Sequence, residues 1–445
     1  MKMRMLYLTL LIMLGLLSGC HHDFEAYVAP EEKQTEAVTF SEDELVIWTT
    51  EDILTENLAF FFKRHPTIRF KIKEIDRIEV IDRYYNALTL EEVPDLLLLP
   101  DEYVGLLSEL DQFEDLSRPP YFDAAFYSSY PDALFDRYTN MNGEMYAFPV
   151  HFFPFVTYYR HDIFEAMGFP SQPEAMSDYI SDAKRYLAMV TQMNEAGYDV
   201  YQSNQTLIQD GLRVSYPFNA SYQYIYDDAP FQQLLNTVAS LEEREINPNH
   251  SIWNAYGQEK LKQSELVMFQ MPSYGVNHLK TWVPEQTGLW RMAKMPFGLS
   301  GIDREQSMMA LIPKRANHQT LSFDLVRALT RSLNYEIFSI GNVDMLDQSH
   351  LDDFYYEVLS ESAQGKPSML DLYARRHWFN TMFDVNKGLA ITPLLFQKTH
   401  DRLLEEIRLD QRLLMKEKAR QAQLNRPPLA EESEPENDLE SVDDD

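Results

Sequence analysis

Residues 94–99 read PDLLLL, with Pro100, Asp101 and Glu102 directly after them. In a strand, successive side chains point to opposite faces, so four consecutive leucines leave neither face polar. Such a strand is stable only as an interior member of a sheet covered on both sides, as parallel sheets in α/β folds are. Leu45-Val46-Ile47-Trp48 is a second run of the same kind. Between the two, Thr55 to His65 places Leu58, Phe61 and Phe62 on one helical face, and Pro66 ends it. Ile68-Arg69-Phe70-Lys71-Ile72 then alternates as another strand. Strand, helix, strand, helix, strand in this order predicts a βαβ sheet with helices on both faces.

The middle of the chain has a different texture. Met145 to Tyr159 (MYAFPVHFFPFVTYY) is dense in aromatic residues and carries two prolines, which exclude a long central strand. Two short extended pieces joined across Pro149 to Pro154 fit instead, as a crossing between lobes. Helices are expected over Ser177 to Ala196, Phe231 to Glu245, Phe323 to Arg331 and Leu403 to Leu424, and buried strands over Glu265 to Met271 and Met308 to Pro313. A chain of 445 residues exceeds what one core organises, so two lobes are expected.

Cys20 is the single cysteine, so no intrachain disulfide supports the fold. Lys2 and Arg4 precede an apolar run from Leu6 to Leu17. As a helix, about twelve residues reach about 18 Å, short of a hydrocarbon core of about 30 Å, which is the pattern of a secretory signal. Leu17-Ser18-Gly19-Cys20 resembles the bacterial lipobox, which implies cleavage before Cys20 and a lipid on its sulfur. Residues 1–19 are thus expected as signal peptide and 20–43 as a lipid-anchored tether. His21-His22 in the tether are too few ligands for a closed metal site. The net charge of −31 argues against nucleic acid or anionic lipid as a partner and suits a monomer. Nine of those carboxylates follow Leu429, and 426–445 is expected as an acidic, disordered tail.

Five blocks, in order, resemble the extracellular solute-binding proteins of ABC importers, in the carbohydrate-binding group that includes maltose-binding protein. They are LVIWTTEDILTENLAFFFKRHPTIRFKI, VPDLLLLPDEYVGLLSELDQFEDL, GEMYAFPVHFFPFVTYYRHDIFEAMGFP, ELVMFQMPSYGVNHLKTWVPEQTGLWRMAKMP and QSMMALIPKRANHQTLSFDLVRALT. Together they cover most of residues 44–330. The resemblance implies an α/β, two-lobe periplasmic-binding-protein fold, class II-like. Each lobe would be a mostly parallel sheet flanked by helices, with hinge crossovers between them. Lobe 1 is expected to take 44–150 plus 270–315, and lobe 2 to take 155–266 plus 320–425. The chain departs from the family in having only 15 glycines, in Asp227-Asp228 where a glycine pair is usual, and in Phe153 where some members place a ligand-binding carboxylate.

The resemblance also implies a ligand in the interlobe cleft, a sugar or oligosaccharide, passed to membrane permease subunits that supply the energy. Loops beyond the strand ends would line that cleft: Thr50, Glu51 and Asp52; Asp101, Glu102 and Tyr103; His151 and Phe153; Ser273 and Tyr274. The second lobe would add Tyr222, Tyr224 and Trp253, and a late helix Trp378 and Phe379. Aromatic rings cover the apolar face of a sugar, and carboxylates accept its hydroxyl hydrogens in charge-assisted bonds. Asp101 and Glu102 have a second reading as first-turn acids of a helix, and Trp48, Trp282 and Trp290 read as core. A descendant that keeps the two lobes but has lost or changed its ligand, a sensor or scaffold, is the alternative.

Catalytic signatures are missing from the sequence. Gly298-Leu299-Ser300-Gly301 breaks the spacing of a nucleophile elbow. No His-Glu-x-x-His occurs among the eleven histidines, and no phosphate-cradling glycine loop is present. The expected protein is therefore not an enzyme, needs no cofactor or metal, and works outside the cytoplasmic membrane.

Overall fold

A computed structural model describes residues 44–54, 58–89, 93–338, 343–361 and 365–424. The signal, tether and tail readings, with Cys20, lie outside them.

The first sheet is built from β1 (Glu44–Thr49), β2 (Arg69–Glu74), β3 (Leu96–Pro100), β4 (Phe148–His151) and β8 (Met308–Leu311), in the order β2-β1-β3-β8-β4. β1 lies parallel to β2 and to β3, with Ile47 opposite Leu96. β3 is buried along its whole length, as its sequence demands, whereas β2 at the edge is mostly exposed. β8 inserts antiparallel between β3 and β4. Pro149 sits in β4, the other edge, where the ladder is interrupted between Pro149 and His151. An edge strand tolerates the missing N–H.

The second sheet has three strands, β6-β5-β7: β5 (Phe155–Arg160), β6 (Met268–Pro272) and β7 (Trp290–Ala293). Both neighbours run antiparallel to β5. The two-lobe α/β fold is as expected, but a mostly parallel second sheet is not what forms. The residues between β5 and β6 build helices, among them Pro173–Ser181, Ala183–Glu195, Asn204–Val214 and Phe231–Glu243. β6 therefore returns toward the first sheet, and its last residue, Pro272, faces Phe155 at the start of β5.

Two lobe boundaries also change. Residues 270–272 and 290–293 belong to the second sheet, because β5 satisfies their backbone groups; only β8 rejoins the first. The helix Gln319–Leu333, expected in lobe 2, packs on β4, with Phe323, Val326 and Leu329 buried in the first core. The second core gathers Phe155, Tyr159 and Met268 with the flanking helices and with Asp371–Asn386 and Pro393–Leu424. Ser177 to Ala196 is two helices, not one. Asp182 has extended backbone and caps the second by accepting from the Arg185 N–H.

The chain crosses between the sheets at Phe152 to Pro154 and returns at Ile302 to Ser307. The two passages touch: Pro154 bridges Ile302, and the Phe155 N–H donates to the Gly301 carbonyl at 3.0 Å.

Candidate functional site

β3 delivers Asp101 to the sheet's carboxyl end as the first residue of the short helix Asp101–Val104. The returning passage delivers Arg304 beside it, with the Glu102 N–H donating to the Arg304 carbonyl at 2.9 Å. The Arg304 guanidinium donates through Nε to Asp101 at 3.1 Å, through Nη2 to Asp371 at 2.9 Å and through Nη1 to the Ser215 carbonyl at 3.1 Å. It lies over the Tyr216 ring at 4.2 Å. Asp101 also accepts from the Tyr138 hydroxyl at 2.7 Å and the Tyr216 hydroxyl at 2.8 Å. Asp101 and Tyr138 come from the chain before β4; Tyr216 and Asp371 come from elements around the second sheet. The network thus joins residues of both lobes by buried contacts.

A second group stands next to it. Arg213, on the helix Asn204–Val214, donates to Asp303 at 2.5 Å and meets Glu305 at 3.2 Å. The Tyr274 hydroxyl donates to Asp303 at 3.3 Å, and burial beside that carboxylate pushes its pKa up to about 12. Gly301 makes this approach possible, since a Cβ there would stand 2.1 Å from the Val214 carbonyl oxygen. Burial raises the pKa of Asp303 despite Arg213.

These groups form part of the wall of a cavity of about 570 Å³. The helix Asp371–Asn386 presents Asp371, Ala374, Arg375, Trp378, Phe379 and Met382 to it, the spacing of one helical face. The helix Asn204–Val214, capped by the Ser203 hydroxyl on the Thr206 N–H at 3.0 Å, presents Thr206, Gln209, Asp210 and Arg213. The ends of β5 and β6 supply Phe155, Gln270 and Met271, and loops add Trp253 and Tyr274.

Two lining side chains are buried yet keep polar atoms unpartnered among the described residues, Asp371 through Oδ1 at 4% exposure and Gln270 through Nε2 at 3%; Asp210, at 5%, lines the cavity with them. Burial drives the Asp210 carboxyl well above its ordinary pKa and brings Asp371 up to about 7, against the pull of Arg304. Each buried polar atom without a partner carries a desolvation cost that an incoming group removes.

Of the residues expected from sequence, Glu102, Tyr274, Trp253, Trp378 and Phe379 line this cavity. Glu102 pairs with Arg375 at 3.1 Å, and burial raises its pKa. Trp253 and Phe379 are 57% and 66% exposed. The other expected residues are taken up elsewhere. Asp101 has no exposed side-chain surface and is spent on Arg304, Tyr138 and Tyr216. Thr50 is buried against Met308, Glu51 pairs with Arg77, and Asp52 accepts from the Leu54 N–H at 3.1 Å. Tyr103 packs under Arg375. Burial lowers the His151 pKa to about 4; its ring rests on Phe153, which meets Tyr274 edge-on at 5.2 Å. Ser273 is buried, with its N–H on the Pro154 carbonyl. Tyr222 donates to Glu109 at 2.6 Å, and Tyr224 accepts from the Trp378 indole at 3.2 Å, both off the cavity wall. Sequence reasoning missed Asp210, Arg213, Gln270, Arg304, Glu305, Asp371 and Arg375. The face Asp371, Ala374, Trp378, Met382 was the signal available for the helix Asp371–Asn386.

Two α/β lobes, strand crossings between them and a lined cavity where they meet define the architecture of the periplasmic-binding-protein fold. Solved structures bear this out. The chain superposes on an extracellular solute-binding protein of family 1 with a TM-score of 0.64, at 12% identity, over 82% of this chain and 99% of the other. The sugar-binding protein MalE of Xanthomonas citri gives 0.64 at 15% identity, over 83% and 98%. The galacto-N-biose/lacto-N-biose I-binding protein of Bifidobacterium longum, in complex with lacto-N-biose, gives 0.61 at 12% identity, over 82% and 97%. No protein-family model matches the sequence, and no curated protein matches it.

Proposed function

We propose that the chain is the solute-binding component of an ABC importer. It holds a sugar or oligosaccharide in the cavity between the helices Asn204–Val214 and Asp371–Asn386 and delivers it to membrane permease subunits. In this reading the protein binds without catalysis, acts as a monomer, and is anchored outside the cytoplasmic membrane through lipid on Cys20. The observation that carries the reading is one cavity that combines rings (Trp253, Tyr274 and Phe379) with buried, unpartnered polar atoms on Asp371 and Gln270 and with the carboxyl of Asp210. Rings suit the apolar face of a pyranose, and the polar atoms suit its hydroxyls. The solute-binding proteins that share the fold, including those named for sugars, support it.

Thermal unfolding across a panel of mono- and oligosaccharides tests it. A ligand at 100 times its dissociation constant adds about 2.7 kcal/mol, a readily measured rise in Tm. No rise with any sugar overturns the reading.

One observation favours a second reading. The Asp101, Tyr138, Tyr216, Arg304 and Asp371 network fastens the lobes by buried contacts of the protein's own. A surface sensor or scaffold with a fixed interlobe angle would use such a fastening. Small-angle scattering separates the two: a receptor that hinges compacts on binding its solute, and a fixed scaffold keeps one radius.

A further inference from the structure

The charges around the cavity are unequal. Glu102, Asp210, Glu305 and Asp371 line it against Arg213, Arg304 and Arg375, and Asp101 and Asp303 stand directly behind. The guanidiniums are engaged: Arg213 by Asp303 and Glu305, Arg304 by Asp101 and Asp371, Arg375 by Glu102. Asp210 is the carboxyl left over. It is 5% exposed, faces the cavity, and is hydrogen-bonded by no described residue. Arg213, one helical turn on, is the cation nearest it in charge interaction, while Asp303 and Glu305 oppose its ionisation.

A neutral sugar would leave that surplus of acid unanswered. A protonated amine would answer it with a charge-assisted hydrogen bond, stronger than a hydroxyl contact. The aromatic rim of Trp253, Tyr274 and Phe379 points the same way, since rings attract cations as well as apolar sugar faces. We propose that Asp210 is a specificity determinant for a ligand ammonium group, so that the cavity selects sugars bearing a free amine over their neutral or N-acetylated counterparts. This rests on the carbohydrate reading above and narrows it.

Burial raises the Asp210 pKa in the free protein, and an ammonium seated beside it would favour the ionised carboxyl.

The test is calorimetric titration of the full chain with glucosamine, N-acetylglucosamine and glucose and with their β-1,4-linked disaccharides. It is run at about pH 6, where sugar amines are protonated. The amine forms are expected to bind at least about tenfold more tightly. Asp210→Asn preserves size and is expected to abolish the preference. Equal affinity for amine and neutral forms, or a preference that survives Asp210→Asn, overturns the proposal and leaves the carbohydrate reading standing. Binding of none of the six sugars overturns the amine proposal; the wider sugar panel then decides the carbohydrate reading separately.

Discussion

Arg304 and Asp101 meet at 3.1 Å across the junction of the lobes, and the Asp101 side chain has no surface left to water. An ion pair this deep is costly to break from one side, because the remaining charge stays buried without its partner. Arg304→Met should destabilise the protein by about 3–5 kcal/mol. Urea unfolding followed by tryptophan fluorescence and circular dichroism measures it, and a change under about 1 kcal/mol would place the pair at the level of a surface contact.

Tyr274 has the cavity on one side and Phe153 and Asp303 on the other. Tyr274→Ala removes a ring from the wall and should weaken solute binding at least about tenfold, or about 1.4 kcal/mol. Tyr274→Phe keeps the ring and should retain most of the affinity. Calorimetry on both variants with the solute found by thermal screening checks the order.

Gly301 accommodates the Val214 carbonyl where a methyl group would collide. Gly301→Ala should push the returning passage off the Asn204–Val214 helix and cost about 1–3 kcal/mol, as overpacking does. It should also disturb Arg213 and Asp303 and lower solute affinity. Denaturant midpoints and binding isotherms read the two effects separately.

Asp199 supplies a pH prediction. Burial raises its pKa from 3.8 to about 6, with Lys260 pulling down and Glu265 pushing up. Between those values the folded chain holds a proton that the unfolded chain releases. Stability from this site is therefore lost as pH rises through that window. Asp199→Asn should lessen the slope and gain about 1–3 kcal/mol relative to the parent above about pH 7. Urea midpoints for both proteins at about pH 4.5 and about pH 7.5 test this; parallel curves contradict it.

How far the sequence could be read depended on which face of each element meets the core. β3 and β8 are apolar and buried throughout, and β1 is so from Leu45 to Trp48, so their runs of Leu, Val, Ile and Met announced them. The crossing was legible because Pro149 and Pro154 bracket it. β7 was not, since Trp290-Arg291-Met292-Ala293 is too short to show a period. The helix Asn204–Val214 hid because its cavity side carries Thr206, Gln209, Asp210 and Arg213, leaving a thin apolar stripe of Leu207, Ile208 and Val214. The polar cavity side thus blurs the pattern that identifies a helix. Asp101 was found as a residue and misjudged as a ligand contact, because its partner Arg304 lies 203 positions away and no local pattern links them. The lobe boundaries failed for a similar reason: a buried strand such as Met268–Pro272 carries no mark of which sheet will pair with it.

The two passages between the sheets are joined at Pro154 and Ile302 and again from Phe155 to Gly301. Linked this way they behave as a single leaf spring instead of two independent wires. Torsion applied to one is carried by the other, so bending along their common line is easier than twisting across it. A change of one residue in the length of either passage would shear the pair and misalign Arg304 with both of its carboxylates.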